Sequence, residues 1–188
     1  MVNKPRIKGT NAETAVVRYL REHGHPHAER RSLRGNEDWG DITGTPGVCW
    51  EVKAAKALAL AGWLRETERE RVASRSDFGI LVIKPVRMGA TRTDQWWAAM
   101  YRGHLDALYS AATADGRCYG AIAYPVFHLS GAKINSLSQA MKEHLYNHHS
   151  QVIIIKPKGV KEQRYEYAVS TLARLNDLVV CAGYGGGQ

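Results

Sequence analysis

The sequence predicts an α/β fold in which a mixed central β-sheet is flanked by helices. From Thr10 to Leu20, small and apolar residues recur at helical spacing, and Gly24 marks the end of that helix. Two short β-prone runs then flank the turn Thr45–Gly47, which indicates a hairpin. Phe78–Ile83 is continuously apolar, as expected of a central strand that is covered on both faces.

The other elements follow in chain order. Thr10 and Glu13 have the spacing of a capping box, which would begin the first helix at Thr10. A strand is expected over residues 28–33, ahead of the hairpin at 39–53. The remaining predicted elements are helices over 54–74, 105–112, 134–149 and 171–180, and strands over 78–83, 91–101, 152–155 and 165–169.

This order gives an αβββαβ core within residues 1–115. Residues 116–150 match no pattern of the core, so we predict a possible insertion there. Residues 151–182 are predicted as a C-terminal strand–helix segment that packs on the core. The glycine-rich residues 183–188 are predicted as a flexible tail.

The composition indicates a basic protein that works in a reducing compartment. Its 188 residues include 26 Lys and Arg against 18 Asp and Glu, a formal charge of +8, which favours a polyanionic partner such as nucleic acid. Residues 1–8 do not resemble a signal peptide, and no apolar run approaches the roughly 20 residues of a membrane span. Cys49, Cys118 and Cys181 fit neither a disulfide framework nor a zinc site, so we expect a cytoplasmic location and no membrane.

Three charged residues of the hairpin are candidates for a catalytic site: Asp41, Glu51 and Lys53. If Thr45–Gly47 form a three-residue loop, Asp41 lies opposite Glu51, with Cβ atoms about 5 Å apart on one face. Lys53 lies on the same face, because side chains alternate along a strand. Two adjacent carboxylates repel unless a cation lies between them, and their oxygen atoms suit Mg²⁺ or Mn²⁺. The set is what metal-assisted phosphodiester hydrolysis requires.

The alternative interpretation is a solvated polar face with a weak ion pair. Spacing alone favours that alternative. The apolar neighbours Val48, Cys49, Trp50 and Val52 argue against it, because they indicate a buried strand in which unpaired charges are costly.

The pattern resembles the PD-(D/E)XK nuclease superfamily. Asp41 and Glu51-x-Lys53 follow the superfamily's motif, except that Gly40 stands where the motif usually has proline. The segments Gly9–Glu13, Arg30–Gly35, Gly40–Ile42 and Trp50–Lys53 are similar to those of archaeal Holliday junction resolvases and of resolvase-like or RecB-like nucleases of actinobacterial phages. The resemblance covers residues 5–105 and returns near 151–180. It implies a restriction-endonuclease-like core.

The resemblance also implies roles for the matching residues. Asp41, Glu51 and the Val52 carbonyl would bind Mg²⁺, for which Mn²⁺ substitutes. Lys53 would orient the attacking water and offset developing charge. Glu13 would bind a metal directly or through water; its alternative role is that of the capping residue.

Several residues near the motif are candidates for DNA binding. Ser32 would help to position the scissile phosphate, although an ordinary turn hydroxyl explains it equally well. Lys8, Arg30, Arg31 and Arg34 would grip phosphates as a cluster, although each alone resembles a solvated surface charge. The histidines at 23–27 and 144–149 lack the cysteines or spacing that would favour zinc. Alternating Arg and Glu between 65 and 71 favour intrahelical pairing.

We therefore expect a metal-dependent, structure-selective DNA endonuclease, foremost a Holliday junction resolvase. Resolution needs two symmetric nicks, so a homodimer is implied. If the chain is phage-encoded, the location is the host cytoplasm. The alternatives are a RecB-like exonuclease, a restriction or nicking nuclease, and a non-catalytic basic DNA-binding module.

Overall fold

The computed structural model describes residues 4–31, 39–54, 56–114, 126–130, 139, 143 and 152–186. The helices are α1 (Lys4–Glu22), α2 (Leu60–Ala73), α3 (Arg102–Ala114) and α4 (Leu172–Val179). The strands are β1 (Glu29–Arg30), β2 (Ile42–Thr43), β3 (Val48–Lys53), β4 (Phe78–Ile83), β5 (Trp97–Tyr101), β6 (Val126–Ser130), β7 (Val152–Lys156) and β8 (Tyr167–Thr171).

The strands form one mixed sheet of eight strands in the order β1-β2-β3-β4-β5-β8-β7-β6. Two neighbouring pairs are parallel, β3 with β4 and β6 with β7, and the other pairs are antiparallel. The α/β class with helices on a mixed sheet is confirmed. Strand β6 lies within residues 116–150, the predicted insertion, and extends the sheet beside β7.

Helices cover both faces of the sheet. The larger core cluster joins α1, α3 and α4 to one face, where Val48, Trp50 and Val52 of β3 are buried. The smaller cluster joins Leu60 and Leu64 of α2 to the other face. Alternation along β3 therefore directs its odd-numbered residues toward α2. This face holds the candidate site.

Helix α1 begins at Lys4 and not at Thr10, so the predicted capping box is wrong. Thr10 lies inside the helix, where its carbonyl accepts a hydrogen bond from the Thr14 hydroxyl at 2.8 Å. A helix interior leaves no orphan amide at Thr10 for Glu13 to bond, because intrahelical carbonyls already pair with these N–H groups. The Glu13 side chain is thus available for other contacts.

Two other predicted boundaries need correction. Helix α2 begins at Leu60, six residues later than the expected start at 54, because Ala59 has a non-helical backbone (φ −120°, ψ 49°). The chain must first cross from the end of β3 onto the sheet face, and Leu60 is the first helical residue that packs there. The expected strand over 91–101 starts only at Trp97, after a 3-10 segment at Ala90–Gln95.

The C-terminal half differs in smaller ways. Strand β8 starts at Tyr167, because a 3-10 turn occupies Gln163–Tyr165 where the predicted strand begins. Residues 183–186 of the expected flexible tail pack against the core: the Gly186 amide donates to the Gly24 carbonyl at 2.7 Å, and the Tyr184 ring meets that of Phe78 edge to face. The predicted helix over 134–149 lies outside the described residues, apart from 139 and 143.

The cysteines also depart from expectation. Cys49 is a buried free thiol, whereas Cys181 takes part in a disulfide bond. Among the helices described above, none has the length and apolar character needed to cross a membrane.

Candidate active site

The hairpin between β2 and β3 has the register that the sequence predicted. Ile42 lies opposite Trp50, as that register requires, and Asp41 lies close enough to Glu51 for the charge of Glu51 to raise the pKa of Asp41. Thr45 closes the turn by accepting a hydrogen bond from the Val48 amide at 3.1 Å and by donating its hydroxyl to the Val48 carbonyl at 3.0 Å. The turn therefore brings the two predicted metal ligands together.

Asp41 is held by the backbone of β3 on two sides. Its amide donates to the Trp50 carbonyl at 2.9 Å, and its carboxylate accepts a hydrogen bond from the Val52 amide at 2.7 Å. Gly40 precedes it with φ +85°, and a Cβ at Gly40 would lie 2.9 Å from the Trp50 carbonyl oxygen. Proline is confined to φ near −65°, so the glycine is required by this backbone.

Glu51 and Lys53 lie on the α2 face, as alternation predicted. Glu51 is buried, with 5 % of its surface exposed. The Lys53 ammonium forms ion pairs with Glu51 and with Glu66 of α2, the latter at 3.1 Å. Lys53 thus joins the strand to the helix that covers it.

Helix α2 contributes two carboxylates that the sequence analysis assigned to intrahelical pairing. Glu68 has that role, in a two-bond pair with Arg71 at 2.8 and 2.9 Å. Carboxylate oxygens of Glu51, Glu66 and Glu70 lie within 4.8 Å of one another, and Glu70 is 2 % exposed. The buried residues of α2 recur at three- and four-residue spacing: Leu60, Leu64, Thr67 and Glu70. This spacing is visible in the sequence and could have indicated that the Glu70 carboxylate is buried.

The electrostatics of the cluster favour protons or cations. Burial, followed by the charge of Glu51, raises the pKa of Asp41 to about 8. Burial, followed by the charge of Glu70, raises the pKa of Glu51 to about 8. Burial alone would lower the pKa of Lys53, but its hydrogen bonds and charge interactions with Glu51 and Glu66 outweigh that effect and raise it. The ammonium therefore stays charged at neutral pH.

Glu13 lies apart from this cluster. Its carboxylate accepts a hydrogen bond from Arg30 Nε at 2.9 Å and forms an ion pair with Arg30 Nη2 at 2.8 Å. Arg30 lies opposite Ile42, so this pair is on the α1 face of the sheet, whereas Glu51 is on the α2 face. The two remain close enough for the charge of Glu13 to contribute to the raised pKa of Asp41.

Of the other predicted residues, the structure describes Arg31 and Val52. The Arg31 guanidinium lies over the Trp39 ring, 5.5 Å from its centroid. Val52, whose carbonyl was a predicted ligand, is the residue whose amide bonds Asp41. Ser32, Arg34 and the side chain of Lys8 are outside the described part of the structure.

The histidines do not form a metal site within the described residues. His25 bonds Asn176 through Nε2 at 3.1 Å, and His23 bonds the Tyr19 carbonyl through Nδ1 at 2.7 Å. The group Glu51, Glu66 and Glu70 is the one set of three or more potential ligands found in this part of the chain.

Chemically, the site is a concentration of carboxylates in a basic protein. Asp41, Glu66 and Glu70 lie around Glu51, and the Lys53 ammonium pairs with Glu51 and Glu66, while the whole chain carries a formal charge of +8. Carboxylate oxygens grouped in this way could hold a hard divalent cation, because Mg²⁺ and Mn²⁺ prefer oxygen ligands.

Comparison with the known protein families, with curated proteins and with solved structures gives no significant match.

Proposed function

We propose that this protein is a metal-dependent nuclease of the PD-(D/E)XK kind that hydrolyses phosphodiesters in DNA. One observation carries the proposal: the hairpin sets Asp41 beside Glu51, with the pKa of each raised to about 8, next to the charged Lys53. Buried acidic groups in this state are costly for a purely structural role, since each would be more stable protonated or bound to a cation.

The donor set fits the metal that the proposal requires. Asp41 and Glu51 offer carboxylate oxygens, and Glu66 and Glu70 lie close enough to Glu51 to complete or orient the set. A bound Mg²⁺ or Mn²⁺ would supply Lewis acidity toward a phosphate and a more acidic water. The chain's own part is to hold Asp41 against β3 through the Val52 amide and to keep the Lys53 ammonium charged beside the phosphate.

The substrate follows from the charge around the site. Arg30 and Arg31 flank Asp41 on the neighbouring strand, and phosphate contacts of such residues supply sequence-independent affinity for DNA. We propose branched DNA, foremost a four-way junction, cut by a homodimer whose two sites make symmetric nicks. Lys8, Ser32 and Arg34 are proposed to extend this contact.

Turnover on defined substrates tests the activity. Wild type and Lys53→Ala are incubated with labelled junction, duplex and single-stranded DNA, in Mg²⁺, Mn²⁺ or EDTA. We expect wild type to cut in either metal and not in EDTA, and Lys53→Ala to cut far more slowly, at a residual rate that single-turnover conditions still measure. Lys84→Ala is the control, because Lys84 lies over the Trp96 ring on the opposite face and should retain activity. Wild-type DNA binding without metal-dependent cleavage would instead favour a DNA-binding module.

Competition binding tests the substrate. At one stated salt concentration, unlabelled junction should displace a labelled junction better than unlabelled duplex of equal length, because the crossover concentrates phosphates. Equal displacement by the duplex contradicts the resolvase proposal and favours a restriction-type nuclease or an exonuclease. The position of the cuts on an intact junction separates these two.

A further inference from the structure

Lys53 is held by two carboxylates that belong to different elements. Glu51 is its neighbour on β3, whereas Glu66 reaches it from α2 with Oε2 3.1 Å from Nζ. The ammonium therefore has one partner on its own strand and one on the covering helix. The two partners differ, because Glu51 is a proposed metal ligand in addition to pairing with Lys53.

We propose that Glu66 is the residue that positions Lys53 for the reaction, an inference that rests on the proposed nuclease activity. A lysine side chain has four rotatable bonds and loses its fixed position unless something holds the ammonium. Glu51 cannot direct all of its oxygen lone pairs to Lys53 and also serve a divalent cation. Glu66 has the orientation to keep Nζ in place while Glu51 is engaged elsewhere.

The geometry of α2 distinguishes Glu66 from its neighbours. Trp63, Glu66 and Glu70 follow one another at three- and four-residue spacing, so they share the flank of α2 that faces β3. Glu70 lies deeper, against Glu51. Glu68 lies on the other flank, where it pairs with Arg71 and approaches His104. Glu66 is therefore placed to form its ion pair with Lys53.

Glu68 provides a closely matched control. The side chains of Glu66 and Glu68 are 34 % and 33 % exposed, both lie on α2, and each pairs with a basic residue. Glu66→Gln and Glu68→Gln therefore remove the same charge from the same helix at the same burial. A general effect of charge or of helix stability would appear in both variants.

The test measures kcat, KM for DNA and the Mn²⁺ concentration that gives half-maximal rate. Glu66→Gln should lower kcat by about 10-fold to 100-fold, the range expected when a hydrogen bond to a charged group is weakened at the transition state. KM and the half-saturating Mn²⁺ concentration should stay within about twofold of wild type, and Glu68→Gln should match wild type throughout. A shift in the half-saturating Mn²⁺ that is rescued by more metal would overturn the inference, because Glu66 would then act as a metal ligand.

A double-mutant cycle measures the link to Lys53 directly. Glu66→Gln should slow the single-turnover rate in the wild-type background and add no further loss to Lys53→Ala, because positioning acts through Lys53. Equal loss in both backgrounds would overturn the inference. If Glu66→Gln melts well below Glu68→Gln, Glu66→Asp replaces it, since it keeps the charge but shortens its reach; the same lower kcat at unchanged metal dependence is expected.

The outcomes separate this inference from the proposed function. If wild type shows no metal-dependent cleavage, the nuclease proposal fails and the inference fails with it. If wild type cleaves and Glu66→Gln matches Glu68→Gln, the inference alone fails.

Discussion

The carboxylate of Asp41 accepts a hydrogen bond from the backbone amide of Val52, at 2.7 Å. This bond attaches a residue that precedes β2 to the strand that carries Glu51 and Lys53. Without this bond, the Val52 amide would continue the ladder of backbone hydrogen bonds between β3 and β2. The Asp41 carboxylate takes that place, so its side chain is fixed where the ladder ends. Changes that keep an acceptor at position 41 should therefore preserve the hairpin and alter only the charge.

We expect Asp41→Asn and Glu51→Gln to abolish cleavage while they preserve or tighten DNA binding. Each change removes a proposed metal ligand but also removes a negative charge that repels phosphate. The asparagine side chain keeps an oxygen for the Val52 amide, so loss of activity in Asp41→Asn would not reflect loss of fold. The measurements are cleavage of labelled junction DNA in Mn²⁺ and its binding in EDTA at pH 8.5, above the pKa of about 8 that both groups have without metal.

The control for these variants is Asp106→Asn. Asp106 lies on α3 with its side chain 65 % exposed, remote from the hairpin, and its variant should cleave as wild type does. Cleavage by Asp41→Asn or Glu51→Gln at a rate close to that of Asp106→Asn would rule out the catalytic assignment.

The hairpin was predictable because its information is local. A three-residue turn and side-chain alternation are enough to give the register in which Ile42 lies opposite Trp50 and to place Glu51 and Lys53 on one face. Glu66 and Glu70 were not predicted, because alternating Arg and Glu on α2 allows several pairings with similar local spacing. Only the docking angle of α2 on β3 decides that Glu68 pairs along the helix and Glu66 pairs with the sheet.

The order of the strands beyond β5 was also not predictable. Strand β8 lies between β5 and β7, so the chain passes out to the edge strand β6 before it returns. Such pairing depends on contacts far apart in sequence, which periodicity does not encode. The start of α1 at Lys4 was missed for a different reason. Thr10 and Glu13 match a cap motif by spacing, but the preceding residues also form helix.

We expect the metal-free protein to lose stability as the pH rises from about 4 to about 8. The pKa values of Asp41 and Glu51 rise from 3.8 and 4.5 to about 8 on folding. In this pH window the folded state binds more protons than the unfolded state, so the free energy of unfolding falls as pH rises. The melting temperatures of wild type and Glu51→Gln in EDTA, compared from pH 5 to pH 8.5, measure this contribution.

Glu51→Gln and added Mn²⁺ should each reduce this loss of stability at high pH. The melting temperature of Glu51→Gln relative to wild type should increase by at least about 2 °C between pH 5 and pH 8.5, because the glutamine does not ionise. Mn²⁺ should stabilise wild type more at pH 8 than at pH 5, since metal and protons compete for the same oxygens. A variant-minus-wild-type difference that does not change with pH would show that the pKa of Glu51 is not raised as described.

Glu13→Gln should reduce cleavage by at least about tenfold with little change in melting temperature, because partly exposed ion pairs contribute about 0–1 kcal/mol to stability. The capping role no longer competes as an explanation, since α1 begins six residues before Thr10. Two roles remain for Glu13: it binds the metal, or it holds the Arg30 guanidinium in place. Cleavage and thermal melting on the same samples give both quantities.

Arg30→Gln separates the two remaining roles of Glu13. If Glu13 acts only by holding Arg30, both single variants and the double variant should lose the same amount of DNA affinity. If Glu13 serves the metal, Glu13→Gln should lower kcat while Arg30→Gln mainly weakens binding and its salt dependence. Glu22→Gln, at the exposed end of α1, is the control. Wild-type cleavage by Glu13→Gln would remove Glu13 from the site altogether.

Gly40→Ala should destabilise the protein by about 1–3 kcal/mol and lower cleavage, whereas Gly62→Ala should stabilise it by about 0.5–1 kcal/mol. Gly40 has φ +85°, and a Cβ there would lie 2.8 Å from the Cys49 sulfur. Relief of that contact must shift the backbone that presents Asp41. Gly62 lies in α2, where a Cβ would have no other atom within 4 Å, so alanine simply improves helix propensity. Chemical denaturation of the two variants measures the change in the free energy of unfolding for each, and the two changes should have opposite signs.

Gly40→Pro tests the same backbone more severely, because it would restore the usual residue of the motif. Proline is held at φ near −65° and cannot adopt the φ of +85° found at Gly40. We therefore expect Gly40→Pro to unfold at a lower denaturant concentration than Gly40→Ala and to cleave more slowly. Wild-type stability and cleavage in Gly40→Pro would show that the backbone at Asp41 is not the one described, since a chain that accepts proline there must present the carboxylate from a different conformation.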